Sequence, residues 1–168
     1  MSKSHRLRIY PDHVLREHAR PVDNITGEIR TLTEEMKLLM AEEGGIGLAA
    51  PQVGVLHRII VVRDEEEYLT FLNPEIHEHL DKHQMEEGCL SLPGVSVNVT
   101  RDFSIYMTAI DISGDQIKME VEGLTARIIQ HEVDHLNGVL IIDHASTVER
   151  HLLKKQLREL GRIQQASQ

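Results

Sequence analysis

The run His131-Glu132-Val133-Asp134-His135 constrains this chain more than any other stretch. On a helix, a step of four residues turns through about 400°, so the two imidazoles leave one face about 40° apart and can converge on one point. Two histidines so placed, with a glutamate beside the first, suit a metal ion with an open position and a general base next to it. Arg127, Gln130, Asp134 and Asn137 recur at spacings of three and four as a polar stripe. Ile128, Ile129, Val133 and Leu136 make the remaining surface apolar, so the spacing predicts a mostly buried helix. Gly123 or Thr125 can open it, and Gly138 stands where a left-handed closing residue belongs.

Two histidines and a base leave the reaction open, and the third ligand decides it. The extended protease pattern H-E-x-x-H-x-x-G-x-x-H fails, because Gly138 matches but Ile141 occupies the place of the last histidine. A downstream glutamate, the choice of other zinc proteases, would have to be Glu149 or Glu159, both in a stretch that reads as a surface helix. Cys89 is the single cysteine, which excludes an internal disulfide. It is also the one soft donor, and His₂Cys with a free position is a chemically sound site for a divalent ion.

The 168 residues fit one domain spanning 1–168, able to bury roughly two thirds of its unfolded surface. No apolar run approaches the roughly 18 residues that a membrane span needs. A net charge of −9 argues against a broad electrostatic grip on nucleic acid. The basic start Met1–Arg8 leads into Ile9-Tyr10-Pro11-Asp12 rather than an apolar core, so it is no secretory signal, and a cytosolic location is expected.

Along the chain, Ile29, Leu32, Met36, Leu39 and Met40 predict an amphipathic helix from Thr26 to about Glu43. Gly44-Gly45-Ile46-Gly47-Leu48-Ala49-Ala50-Pro51-Gln52 then stops the helix. A phosphate loop is disfavoured because no Lys-Ser/Thr follows. Small residues ending in an amide suit a groove wall against which a peptide backbone can lie. The segments 57–62 and 68–72 read as a hairpin, with the second strand ending at Asn73-Pro74. The segments 95–99, 104–111 and 116–121 read as further strands of a largely antiparallel sheet. His77, His79 and His83 read as a solvated polar face, and 139–142 as a short buried strand or extended segment. A last helix is expected from Ser146 to Ile163, packing through Leu152, Leu153, Leu157 and Leu160, with Arg150, Lys154, Lys155, Arg158 and Arg162 on its wet side and a loose tail 164–168.

Taken in order, Gly45-Ile46-Gly47-Leu48-Ala49-Ala50-Pro51-Gln52, Glu87-Gly88-Cys89-Leu90-Ser91 and Gln130-His131-Glu132-Val133-Asp134-His135 resemble the three motifs of the peptide deformylases. The resemblance runs over nearly the whole chain, from Tyr10-Pro11-Asp12 to Asp143-His144. It implies an α+β fold with antiparallel sheets packed around a central metal-binding helix, plus an N-terminal and a C-terminal helix. It also implies hydrolysis of the N-formyl group on the initiator methionine of nascent bacterial chains, with release of formate. By resemblance, Cys89, His131 and His135 hold the metal, Glu132 is the acid/base, and Gln52 and the Leu90 N–H stabilise the oxyanion. Ile46, Leu124 and Ile128 would line the slot for the methionine side chain, with Gly47 and Gly88 pairing with the substrate backbone. The family's ion is usually ferrous iron, with zinc, nickel or cobalt as substitutes. The final helix resembles an extension that suggests docking at the ribosome. Ala41 and Ser96 depart from residues that relatives carry there, a difference expected to bear on entry to the groove. A metallopeptidase or deacylase of different acyl specificity is the competing reading.

Overall fold

The computed structural model describes residues 5–166. Helix α1 (Gly27–Glu42) is opened by Thr26, whose hydroxyl accepts from the Ile29 N–H, and buries Ile29, Leu32, Met36 and Met40. Five strands follow: β1 (Gly47–Ala49), β2 (Ile59–Asp64), β3 (Glu67–Gly88), β4 (Ser96–Ile110) and β5 (Gln116–Glu122). They form one antiparallel sheet in the order β1-β2-β3-β4-β5, so each strand pairs with its neighbour in sequence. Helix α2 (Gly123–Leu136) packs across β1, β2 and β4, and α3 (Thr147–Ala166) ends the described chain. The expected α+β class is what the structure has, with the strands joined in a single sheet.

Strand β2 explains how the sheet serves two helices. Its residues Ile59–Val62 are all buried, but they divide by face. Ile60 and Val62 join Phe71, Ile105, Met107, Ile128 and Ile129 under α2. Ile59 and Val61 join Leu48, Leu72, Met36 and Met40 under α1. A strand covered on both sides reads as an unbroken apolar run, as Ile59–Val62 does.

Two strand expectations need correction. The second strand does not stop at Asn73-Pro74. Asn73 takes a φ of 49° and the register slips between Leu72 and Glu75 and again between Ile76 and Glu78, after which the strand continues to Gly88. Likewise 95–99 and 104–111 are one strand. Val97, Val99, Arg101, Ile105, Met107 and Ala109 are all buried, and the sequence pattern breaks because buried positions hold the charged Arg101 and Asp102 and because Phe103 is exposed between the buried Asp102 and Ser104. Gly47–Ala49 adds a short strand within the segment expected to form a groove wall, and of the two readings of 139–142, strand or extended segment, no strand forms: the segment leads into a tight 3-10 turn at Ile141–His144.

The last helix also differs in extent and face. It runs to Ala166, so 164–166 are helical rather than a loose tail, and residues 1–4 and 167–168 lie outside the described ones. Leu153, Leu157 and Leu160 pack on a third cluster built from Leu92, Val95, Val97, Val99 and Leu140, but Leu152 is 72% exposed and belongs to the wet side. The polar histidine face holds partners: His77 bonds Thr108, His79 bonds Asp102, and the His83 ring meets Phe103. No helix among the described residues is long and apolar enough to cross a membrane.

Helix α2 is fixed at both ends by glycines in the left-handed region, Gly123 at φ 64° and Gly138 at φ 70°. At Gly138 a Cβ would also stand 2.5 Å from the Arg16 carbonyl oxygen, and Arg16 in turn donates to the Gly138 carbonyl and pairs with both oxygens of Asp143. Gly138→Ala therefore combines a strained backbone with a backbone collision. It is expected to lose at least about 2 kcal/mol in urea unfolding, and a midpoint equal to that of the parent would refute this account of the helix end.

Candidate functional site

The site forms where three segments distant in sequence meet. Strand β3 ends at Gly88, which delivers Cys89 to the lip of α2. Helix α2 presents His131 and His135, and the 3-10 turn Ala50–Val53 after β1 presents Gln52. The ligand atoms of Cys89, His131 and His135 all lie within 4.8 Å of one another, the one such cluster among the described residues. Cys89 Sγ is 3.4 Å from His135 Nε2, which is 3.2 Å from His131 Nε2. Gln52 is buried beside them. Its Oε1 accepts from the Ala49 N–H, and its Nε2 donates to Ser91 Oγ at 3.1 Å and lies 3.7 Å from Cys89 Sγ.

Glu87 sets the orientation of His131. Its Oε2 receives His131 Nδ1 at 3.0 Å, which turns Nε2 toward Cys89 and His135. The carboxylate is saturated by other donors. Arg101 approaches it in a two-pronged pair at 3.0 Å on each oxygen, and Arg127 Nη1 binds Oε1 at 2.6 Å. Arg127 also donates to the carbonyls of Val99 and His83, and Arg101 reaches Asp134 at 2.7 Å, so the network joins α2, β3 and β4. Burial alone would raise the Glu87 carboxyl, but hydrogen bonds from His131 and Arg101 hold it well below the usual carboxylate range.

The donor set fits a cation. Two imidazole nitrogens and a sulfur converge with their lone pairs inward, a grouping that repels itself unless positive charge sits among them. Burial opposes charge on His131, yet hydrogen bonds to Cys89 and Glu87 raise its pKa to about 10. Burial, with His131 beside it, lowers His135 well below the ordinary histidine value and leaves that ring neutral. Glu132 is buried against the cluster. Burial pushes its carboxyl up to about 7 while His131 and Arg101 pull the other way, and its Oε2 has no hydrogen-bond partner among the described residues.

A cleft of about 500 Å³ opens onto these groups. Its lining includes Ile46, Gly47, Gly88, Leu124 and Ile128, the five residues named from the sequence for substrate. Ile46 and Leu124 stand exposed at its mouth, 46% and 58%, whereas Ile128 is buried. A Cβ at Gly47 would collide with Glu132 Oε1 and with Ile128, so the bare backbone is what lets β1 lie against the carboxylate. Ala41 and Ser96 are exposed and do not line the cleft, although the Ser96 hydroxyl donates to Glu86, which does.

With this geometry in view, comparison with known proteins is decisive. The family model described as polypeptide deformylase matches residues 4–151. The chain belongs to the polypeptide deformylase family. It is 48% identical over 140 residues to peptide deformylase 1 of Clostridium perfringens, covering 82% of this chain and 95% of that one. It is 40% identical over 157 residues to the peptide deformylase of Thermodesulfovibrio yellowstonii, covering 90% and 95%. The crystal structure of the peptide deformylase from Thermus thermophilus superposes with a TM-score of 0.91 at 37% identity, over 98% of this chain and 99% of that one. The chain is accordingly a metal-dependent hydrolase of the deformylase type, acting in protein biosynthesis.

Cys89, His131, His135, Glu132, Gln52, Leu90 and the five residues named for substrate lie around one cleft, Ala41 and Ser96 do not, and several residues that hold the site were not foreseen. Arg127 was placed on a polar stripe, Glu87 and Ser91 were quoted within a motif without a role, and Arg101 and Met85 were not singled out. A charged residue at a buried register position, as Arg101 is, was the one available signal. Glu87→Gln keeps the shape but removes the carboxylate that the buried Arg101 and Arg127 share, leaving Arg101 its pair with Asp134. Unfolding is expected to show a loss of about 3–5 kcal/mol. The Glu87 contribution is complete above the ordinary glutamate pKa of about 4.3 and is lost as pH falls below it toward the depressed folded value. The parent should therefore lose stability more steeply on the acid side than Glu87→Gln, and parallel acid profiles would contradict the assignment.

Proposed function

We propose that this chain removes the N-formyl group from the initiator methionine of nascent polypeptides, releasing formate, with one divalent ion held by Cys89, His131 and His135. The convergence of those three donors beside the buried Glu132 and the Gln52 amide is the observation that carries the reading. Of the ions that accept nitrogen and sulfur ligands, we favour Fe²⁺, with Zn²⁺, Ni²⁺ and Co²⁺ as substitutes. When bound, such an ion supplies Lewis acidity, lowering the pKa of water and polarising the carbonyl under attack.

The remaining steps belong to the chain's own side chains. Glu132, poised near neutrality by burial, takes a proton from the attacking water and returns it to the leaving nitrogen. Gln52 Nε2 and the Leu90 N–H donate to the oxygen on which negative charge develops. Ser91 and the Ala49 N–H hold the Gln52 amide so that its nitrogen, not its oxygen, faces the sulfur side of the site. Ile46, Leu124 and Ile128 receive the methionine side chain, and the backbone at Gly47 and Gly88 pairs with the peptide in strand fashion.

The whole of 1–168 serves as one catalytic domain in the bacterial cytoplasm, meeting its substrate at the ribosome. The exposed Arg150, Lys154, Lys155, Arg158 and Arg162 on α3 give an otherwise acidic chain a cationic ridge for that encounter. Replacing these five by serine should weaken co-sedimentation with ribosomes, and unchanged co-sedimentation would remove α3 from that role.

The catalytic roles separate when formate release from a formyl-Met peptide is measured beside metal content. Glu132→Ala is expected to keep its metal and lose nearly all turnover. Gln52→Leu is expected to keep its metal and lose on the order of 10²–10³ in rate, whereas Cys89→Ala should lose the metal itself. Equal turnover of acetyl-Met and formyl-Met peptides would favour a deacylase of broader acyl range instead.

A further inference from the structure

One wall of the cleft is held from outside the site. Cys89, Leu90, Leu92, Gly94 and Val95 line it, and the same segment rests on α3. Glu149, Leu153, Gln156, Leu157 and Leu160 fall at spacings of four, three, one and three, which puts them on one face of that helix. Leu153, Leu157 and Leu160 pack on the cluster containing Leu92 and Val95, with Cys89 at its margin. Glu149 accepts from the Asn98 N–H at the start of β4, and Gln156 Nε2 donates to the Gly94 carbonyl at 2.5 Å.

The Gly94 contact matters because of what the turn leaves open. The Leu92 N–H donates to the Cys89 carbonyl and the Val95 N–H to the Leu92 carbonyl, closing two successive turns. Gly94 itself sits at φ 74°, a conformation with little local restraint for glycine. The Gly94–Val95 peptide is thereby pinned from α3. It borders the groove directly, since Gly94 and Val95 both line the cleft, and the carbonyl of the next peptide, Val95 O, lies 3.9 Å from where a Cβ on Gly88 would stand. Gln156 falls beyond residue 151, where the match to the family model ends.

We infer that Gln156 is a positioning residue: by holding the Gly94 carbonyl it sets the width of the cleft beside Gly88, and so how well a peptide backbone seats there. It touches no reacting atom and leaves the ion's ligands alone. The inference rests on the cleft being the peptide-binding site of the proposed hydrolase. A purely structural role is a different claim, because the leucines of α3 supply the packing whether or not the amide is present.

The test uses the full-length, metal-loaded protein and a formyl-Met tripeptide. Gln156→Glu keeps the size, removes the donor and sets a carboxylate against the carbonyl, whereas Gln156→Lys keeps a donor. For Gln156→Glu, KM is expected to rise about three- to tenfold, the worth of one neutral hydrogen bond. Its kcat, metal content and thermal midpoint should stay near the parent's, and Gln156→Lys should restore KM. An unchanged KM in Gln156→Glu overturns the inference, as does a fall in thermal midpoint that tracks KM in both variants alike. No formate release from the parent protein would sink the functional reading and this inference with it.

Discussion

The carboxylate of Glu87 is the contact on which the rest of the structure depends. It lies at the buried junction of α2, β3 and β4 and receives four donors, two from Arg101 and one each from Arg127 and His131. A buried carboxylate carries a large desolvation cost, which is offset only where its lone pairs are filled with good geometry. Here they are filled, and the same bonds that offset the cost also dictate which nitrogen of His131 faces the site. Fold and chemistry thus share one group: without it the two guanidiniums lose their partner, and the histidine loses the bond that fixes its ring.

The sheet's connectivity explains why distant residues can meet at that point. Each strand pairs with its sequence neighbour, so the sheet grows by local closure, and only β3 is long enough to carry its end past the pairing with β2 to the far side of α2. The shifts near Asn73 and Glu78 let β3 leave β2 and continue along β4 alone. Gly88 and Cys89 then arrive beside His131 and His135 without a long loop. The short strand β1 closes the opposite side, and because Gly47 has no side chain it approaches Glu132 more closely than any other residue would allow. The cleft lies between these two strand ends, and its position follows from the lengths of β1 and β3.

Much of this was legible in the chain. The helical periodicity of Ile29–Met40 and of Ile128–Leu136, the closing glycine at 138 and the four-residue step between histidines are local properties, and local properties survive folding. The cysteine as candidate third donor followed from chemistry, since no other thiol exists in the sequence. Strand continuity was harder. Asn73-Pro74 resembles an end because positive φ and proline usually close strands, and here they mark an irregularity inside one. Arg101 resembles a break because an isolated charge is seldom buried, and its partners Glu87 and Asp134 sit far from it in sequence. Leu152 was placed inward because four leucines close together suggest one stripe, whereas only three of them fall on the face that α3 turns to the core. What stayed hidden was pairing between distant polar residues, which no period encodes.

The buried polar side chains around the cleft differ in how far their hydrogen bonds are committed. Glu87, Arg101, Arg127, Gln130 and Ser91 are scaffold, and each is hydrogen-bonded to groups on other elements. Glu132 Oε2 and His135 Nδ1, in the site itself, are buried with no partner among the described residues. An unfilled buried acceptor costs stability, and neighbouring groups in a protein this well packed would ordinarily supply a donor. Gln52 stands between the two kinds: its oxygen is committed to Ala49, while its nitrogen is shared between Ser91 and the sulfur side of the cleft. Arg8, His57 and Thr70 also hold an unpartnered buried atom away from the site, so it is the placement of Glu132 beside the Cys89–His131–His135 cluster, together with its open oxygen, that marks it as the group proposed to carry the proton.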